Sequence, residues 1–285
     1  MSRAGPGESP FMSAPPRLFD PAQIFRNLSR RQGSANFVRD LVVEDLQDRL
    51  GAHKRDFSRA ILIGPDAATL PDTLFTANGP VAAQRVEAFT GDFPELPPGE
   101  HDLIVSLLHL QAVDDVPGHL ARLRRVLKPD GLLLAAFLGG ETLSELREAF
   151  LAADLDVSGG ASARVAPMTQ VRDAGALLQR AGFAIPVADV ETHRVRYSSP
   201  FALMTELKAL GAANPLADRP RRFATRRLLA TAAQAYASRD ADPDGRIRAT
   251  LEIIWLAGWV PHESQQQPLR PGSATVSMRD VLGKT

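Results

Sequence analysis

The sequence predicts an α/β protein built on a doubly wound, largely parallel sheet, and three stretches carry that reading. AILIGPDAATLPDTL (60–74) opens with a short apolar run, turns at Gly64 and Pro65, and continues into a helix-compatible segment. DLIVSLL (102–108) is apolar on both faces, as a strand covered by helices on either side must be. LLLAAF (132–137) is a second such run, separated from the first by an amphipathic helix and a Pro-Asp-Gly turn. Strand, helix and strand in that order imply parallel strands joined by a right-handed crossover.

The elements follow in order. Residues 1–17, rich in Gly, Ser and Pro, read as a flexible tail. A helical arm is expected over 18–58. Phe19, Ile24, Phe25 and Leu28 lie among arginines, and Phe37, Leu41, Val42, Leu46 and Leu50 then recur at helical steps up to Gly51. The main core is expected over 59–198, beginning with the strand, turn and helix of 60–74 and a short second strand at 81–89. After the strand at 102–108, Val116, Leu120, Leu123 and Leu127 mark a helix. Asp114 and Asp115 at its start and Arg124, Arg125 and Lys128 near its end suit the helix dipole.

Pro129, Asp130 and Gly131 turn the chain into the strand at 132–137. Thr142 and Glu145 have capping-box spacing ahead of a helix carried by Leu143, Leu146 and Phe150. Thr169 is placed to cap the next helix, which holds Val171, Leu177 and Leu178 and is closed by Gly182. The rhythm then changes: 186–197 reads as extended, 200–211 and 221–237 as helical, and 246–260 as a long strand rich in Ile and Trp. The extended pieces are expected to pair at one sheet edge. The two helices make a cap over 199–245, and 246–285 holds the last core strand and a C-terminal segment.

Composition narrows the functions. With 44% hydrophobic and 23% charged residues, the 285-residue chain can bury an ordinary globular core. Its 33 basic and 33 acidic residues cancel, so no global field gathers nucleic acid. The arginines at 219, 221, 222, 226 and 227 read first as a solvated face and second as a docking surface for an acidic protein. The absence of cysteine excludes disulfides and thiolate metal sites. No window approaches the roughly 18 consecutive apolar residues of a membrane-spanning helix, so no membrane insertion and a cytoplasmic setting are expected. The six histidines are scattered, without His-Glu-x-x-His or two-His-one-carboxylate spacing, and no metal site is expected.

LKPDGLLLAAF (127–137) resembles the Leu-Lys-Pro-Gly-Gly turn and fifth strand of class I methyltransferases. LGGETLSELREAF (138–150) is closer still to the Gly-Gly-acidic-Thr-Leu-x-Glu-Leu-Arg segment of the methyltransferase-like complex I assembly factors. The mitochondrial member of that group hydroxylates an arginine of a complex I subunit. The segment is similar, more loosely, to the malonyl-carrier-protein methyltransferase of biotin synthesis. LFDPAQIFRNLSRRQ (18–32), PFALMTELKALGAANP (200–215) and WLAGWVPHESQQQPLRPGSATVS (255–277) resemble the assembly-factor group as well.

The resemblance implies a Rossmann-like, doubly wound methyltransferase sheet with an N-terminal helical arm and an inserted helical cap. It implies S-adenosylmethionine as cofactor and a protein substrate or assembly partner such as a complex I subunit. It places Gly64, Glu87, Asp92 and Ser106 on the cofactor side, and Gly139, Gly140, Glu141, Arg147, His262, Glu263 and Gln265 on the substrate or partner side. No catalytic base is assigned. Other roles stay open for these residues. Glu87 and Asp92 read equally as ribose and adenine holders or as solvated loop acids, Ser106 as core, and Arg147 as solvated. Gly139 and Gly140 either admit a close neighbour or let the strand turn.

Departures from the family pattern are concentrated near the first strand. Leu62 stands where an acidic residue is usual, and Asp66 and Ala68 replace the second and third glycines. The chain from Gly64 to 102 is roughly twenty residues short of the family length, so a strand or helix of the cofactor half is expected to be missing. Leu110, Gln111 and Ala112 replace the family's Leu-His-Trp. Three functions therefore remain: an enzyme that methylates or hydroxylates a protein partner, a non-catalytic assembly factor that has lost the cofactor, and a small-molecule or carrier-protein O-methyltransferase.

Overall fold

Two helices come first in the chain. α1 (Pro21–Ser29) begins on a proline, whose fixed φ suits a first helical turn, and the Asp20 carboxylate accepts from the Gln23 N–H at 3.1 Å. α2 (Phe37–Gly51) is capped in the same way by Asn36, whose side chain accepts from the Arg39 N–H. The chain continues through β1 (Ala60–Gly64), β2 (Thr73–Thr76), β3 (Gly79–Glu87), β4 (His101–Leu107) and α3 (Val116–Val126). Next come β5 (Leu127–Gly139), α4 (Ser144–Ser158), α5 (Val171–Arg180) and β6 (Ala184–Tyr197), then α6 (Pro200–Ala209), α7 (Arg226–Asp240) and β7 (Ile247–Trp259). The structure, a computed structural model, describes residues 17–32, 36–89 and 94–266.

The seven strands form one sheet in the order β2-β3-β1-β4-β5-β7-β6. β3, β1, β4 and β5 run parallel, and β7 runs antiparallel between β5 and β6. β2 pairs antiparallel with β3 at the far edge. The C-terminal ends of the parallel strands therefore gather along one border of the sheet, where open α/β sheets bind ligands.

Burial on both faces fixes this arrangement. Ile61, Ile63, Ile104, Leu133 and Leu256 pack against Leu120 and Leu123 of α3 and Leu178 of α5. On the opposite face Leu62, Leu103, Val105, Leu134 and Trp255 pack against Val42, Leu46 and Leu50 of α2. At about 1.5–3 kcal/mol for each large apolar side chain fully buried, this two-sided core is the main source of stability. A third cluster joins Leu146 and Ala149 of α4 to Leu203 of α6, Tyr236 of α7 and Ile247 and Ala249 of β7. Those helices thus cap the ligand border, and the Tyr236 hydroxyl donates to the Arg248 carbonyl at 2.7 Å.

Several local expectations are corrected. No helix follows β1. A single 3₁₀ turn over Ala67–Thr69 leads to Leu70, which Pro71 holds in an extended conformation with ψ 152°. The chain then enters β2, an added strand, and returns through Asn78 and Gly79 into β3. The described residues between β3 and β4 carry neither strand nor helix.

Thr142 and Glu145 do not form a capping box. The Thr142 hydroxyl donates to the Gly139 carbonyl at 2.7 Å, and the Glu145 carboxylate accepts from the Thr250 N–H and hydroxyl. The cap position of α5 is Gln170 rather than Thr169. Asp115 alone caps α3, because Asp114 instead accepts from the N–H groups of Leu18 and Phe19. α7 starts at Arg226, where Thr225 caps it, rather than at residue 221.

Candidate functional site

At the C-terminal border, Gly64 and Glu87 are register partners on β1 and β3, and Ser106 of β4 lies beside Ile63 and Ala135. The sheet thus brings Gly64, Glu87 and Ser106 together. The space beside Gly64 is already filled: a Cβ there would lie 2.9 Å from Leu70 Cδ1 and 3.1 Å from the Leu107 carbonyl oxygen. Leu70 is 5% exposed and belongs to the core. Beyond the turn, Asp66 is held by Arg31 at 2.9 Å. Leu108 closes the end of β4 in the left-handed region, φ 51°, with its N–H donating to the Ala136 carbonyl at 2.7 Å.

The cavity left at this turn, between Arg31, Asn36, Arg39, Asp66, Leu70 and Leu108, is about 30 Å³. That volume holds a water or two. A nucleoside-sized ligand needs a cleft on the order of 300 Å³ or more. A cofactor of the S-adenosylmethionine kind would also require backbone N–H groups open beside Gly64, where Leu70 and the Leu107 carbonyl sit. The described residues here do not fit that group. Glu87 is exposed at the end of β3, and Ser106 is fully buried with a hydroxyl that has no hydrogen-bond partner among the described residues. Asp92 lies outside the described residues.

Gly139, Gly140, Glu141 and Arg147 sit on the same border, under the cap. The Gly140 N–H donates to the Thr169 carbonyl at 2.9 Å, and the Glu141 N–H to Glu252 Oε2 at 2.9 Å. Glu252 of β7 in turn donates its N–H to the Thr142 hydroxyl at 2.9 Å. Arg147 donates to the Ala166 carbonyl at 3.3 Å. These residues are engaged in holding the β5–α4 turn against β7 and the 163–170 segment.

His262, Glu263 and Gln265 lie at the opposite border. Gln265 Nε2 donates at 2.8 Å to both Asp130 Oδ1 and the Val260 carbonyl, and Ser264 bonds His262 Nδ1 at 2.8 Å. Asp130 starts the apolar part of β5 and Gly139 ends it, which at ~3.3 Å per residue sets the two groups roughly 30 Å apart. The GSAT stretch at 272–275 lies outside the described residues. The sequence-predicted residues therefore divide between two ends of the sheet.

At that second end, burial alone would raise the Asp130 carboxyl, but the Gln265 amide, the Arg55 guanidinium and the Ser264 hydroxyl hold it below the ordinary carboxylate value. A lowered folded-state value contributes stability that is full above the unfolded value of about 3.9 and is lost as pH falls through the folded one. Arg55 also stacks 5.1 Å from the Trp259 ring centroid. Acidification below about pH 4 is accordingly expected to loosen the 262–265 segment and shift Trp259 fluorescence. Asp130→Asn tolerates the same left-handed backbone, φ 62°, and is expected to remove that local acid step. An identical acid transition in both proteins would show that Asp130 does not control it.

Arg31, Asn36, Leu70 and Leu108, which line the turn, were not singled out from the sequence. Asn36 carried a readable signal, a capping side chain ahead of an apolar helical run. Among the described residues no group of three His, Asp or Glu side chains is placed to hold a metal ion, and no helix is long and apolar enough to cross a membrane.

A parallel sheet with a reversed penultimate strand, helices on both faces and this strand order defines a protein of class I methyltransferase fold. Residues 54–135 match the family described as "Methyltransferase domain". The chain is 38% identical over 185 residues to the mitochondrial arginine-hydroxylase NDUFAF5 of Danio rerio, covering 64% of this chain and 57% of that one. It is 37% identical over 163 residues to the malonyl-[acyl-carrier protein] O-methyltransferase of Halorhodospira halophila, covering 57% of this chain and 53% of that one. A solved structure, the YcgJ protein of Bacillus subtilis, is 15% identical with a TM-score of 0.44 and covers 79% of this chain and 99% of that one. The chain spans about half the length of the curated relatives it matches.

Proposed function

We propose that this chain is an assembly factor on the methyltransferase fold that engages a protein partner, a subunit of respiratory complex I, and works without S-adenosylmethionine. The observation that supports this best is the filled turn after β1. Leu70 and the Leu107 carbonyl stand beside Gly64 where a cofactor's backbone cradle is needed, and the cavity between Arg31, Asp66 and Leu108 at this turn is about 30 Å³. The choice of partner rests on kinship with relatives named as NDUFAF5 at 37–41% identity.

A calorimetric and thermal-shift titration with S-adenosylmethionine tests the cofactor-free reading. A ligand at about 100 times its Kd stabilises the native state by about 2.7 kcal/mol, so even modest binding would register. No heat and no shift at millimolar ligand are expected. Binding in the micromolar range would sink the cofactor-free reading. The name arginine-hydroxylase on those relatives favours a second reading, oxidation of an arginine on the same partner. Intact-mass measurement of the partner after incubation with the chain, dioxygen and a reductant separates the two, since only hydroxylation adds an oxygen atom.

A further inference from the structure

The structure sorts the arginines of 219–227 into an anchor and a free set. Arg219 is the anchor. Its side chain is 12% exposed, pairs with Asp20 at 2.9 Å, and donates to the Leu216 carbonyl at 2.7 Å and to Gln23 Oε1 at 3.1 Å. Beside it Phe19 and Leu216 form a β-bridge, and the Ala217 N–H donates to the Leu18 carbonyl at 2.9 Å. The base of the segment between α6 and α7 is thereby tied to the start of α1, and Thr225 fixes its other end by capping α7. Between these ties Phe223 is 100% exposed. Arg222 and Arg226 are exposed as well, and neither guanidinium has an ion pair among the described residues. Arg221 and Arg227 reach Asp20 and Asp156 only at 3.8 and 3.9 Å, with most of each arginine side chain in water. Over 217–228 five arginines stand against one acid, Asp218.

We propose that this loop is a docking surface for a short acidic segment of a protein partner, whose carboxylates meet Arg222 and Arg226 and whose apolar side chains cover Phe223. The proposal rests on the reading that the chain engages a protein partner and adds where and by what chemistry it does so. Charge complementarity calls for an anion, and the planar guanidinium fork matches a carboxylate with two parallel hydrogen bonds. The loop holds arginine and an aromatic ring but no lysine, the side chains enriched and depleted at protein interfaces. Its surroundings select a narrow segment over an extended anionic surface. Asp156 and Asp218 lie exposed at the flanks of the arginines, so a bilayer or a nucleic-acid duplex, negative over a whole plane, would meet them too. A single acyl chain gives only marginal membrane binding, and one phenylalanine ring supplies less apolar surface than that. Arg222 and Arg226 are four residues apart, at most roughly 14 Å, within the reach of a short extended segment. The anchored base holds the loop in place before the partner arrives, which lowers the ordering cost of binding.

Arg222, Phe223 and Arg226 do not hold the fold, so their variants should keep the circular dichroism spectrum and Tm of the unaltered chain. The probe is a fluorescein-labelled peptide of repeated Glu-Glu-Leu, titrated with the full chain and read by fluorescence anisotropy. Saturable binding is expected, and none for the matching Gln-Gln-Leu peptide. Arg222→Glu combined with Arg226→Glu should weaken it by at least about tenfold. Phe223→Ser should weaken it at unchanged charge, while Arg172→Glu, an exposed arginine on α5, should leave it as it was. No saturable binding overturns the proposal, as does an equal loss from Arg172→Glu, which would make the effect one of net charge. Sedimentation with phosphatidylcholine–phosphatidylglycerol vesicles through Arg222, without peptide binding, would assign the loop to a lipid surface and overturn it as well. A complex I subunit bound equally well by Phe223→Ser and by the double arginine variant overturns this surface alone. Peptide binding through the loop, with no complex I subunit bound, leaves the surface standing and sinks the choice of partner.

Discussion

Replacing Arg164 with Ala is expected to destabilise the fold by about 3–5 kcal/mol, the cost of leaving one member of a buried ion pair alone. Asp154 on α4 is fully buried, and both of its carboxylate oxygens accept from Arg164, Nε and Nη2 donating at 2.7 Å each. The guanidinium also lies 5.5 Å from the Phe150 ring centroid. Arg164 belongs to the segment between α4 and α5, whose carbonyls accept from Asn214, Arg147 and Gly140. Its loss would therefore loosen the floor beneath the cap as well as strand the fully buried Asp154 carboxylate without a partner. Total stability of a domain is on the order of 5–15 kcal/mol, so this change takes a large share. Thermal denaturation should show a fall in Tm of roughly 10 °C. Asp154→Leu combined with Arg164→Met removes both charges and should recover most of the loss. A single substitution that leaves Tm within a degree or two would mean that water reaches Asp154 when Arg164 is gone.

The parallel centre of the sheet was legible because its signal is redundant. The runs at 102–108 and 132–137 are apolar on both faces and occupy β4 and β5 as expected. The helix periods of α2 and α3 and the extended character of β6 and β7 were equally plain. What failed was local and competitive. A helix after Gly64 looked possible from composition, but only eight residues separate Gly64 from Thr73, and Pro71 keeps Leu70 out of the helical region. Asn78 followed by Gly79 was a hairpin signal of the strongest short-range kind, and it went unread. Capping was misassigned at Thr142 and Glu145 because a third element, β7, offered both side chains better partners than the α4 N-terminus did. No local pattern encodes a partner more than a hundred residues away.

The candidate site was legible as a border and not as a set of contacts. Gly64, Glu87 and Ser106 converge because strand ends in a parallel sheet must converge. That Leu70 would fill the turn depended on the β2 hairpin, which the sequence reading did not contain. His262 and Gln265 were grouped with the glycines of 139 and 140 through family resemblance, which says nothing about which end of the sheet a residue reaches. The bonds of Gln265 to Asp130 and Val260 follow from β7 running antiparallel, so that its C-terminal end lies beside the start of β5.

Gly140→Ala is expected to cost about 3 kcal/mol, from two sources that a double-mutant cycle separates. The first is conformational: Gly140 has φ 55°, a region in which a non-glycine residue is strained by about 1–3 kcal/mol. The second is steric, because a Cβ at this position would overlap the Glu252 carboxylate, which is held in place by the Glu141 N–H at 2.9 Å. Moving that carboxylate abandons its bond to the turn, and moving the turn breaks the bond from Gly140 to the Thr169 carbonyl. Glu252→Ala alone loses the bond its carboxylate accepts from the Glu141 N–H and the longer one, 3.4 Å, from the Thr192 hydroxyl, about 1.5–3 kcal/mol at most for a part-exposed group. In the double variant the overlap is gone, so its cost should fall short of the sum of the two singles by 1 kcal/mol or more. Additive costs in urea denaturation would mean that backbone strain alone requires glycine here. A neutral Gly140→Ala would mean that the turn can re-form around a side chain, and the tight approach of β5, β7 and the 163–170 segment would lose its role in seating the cap.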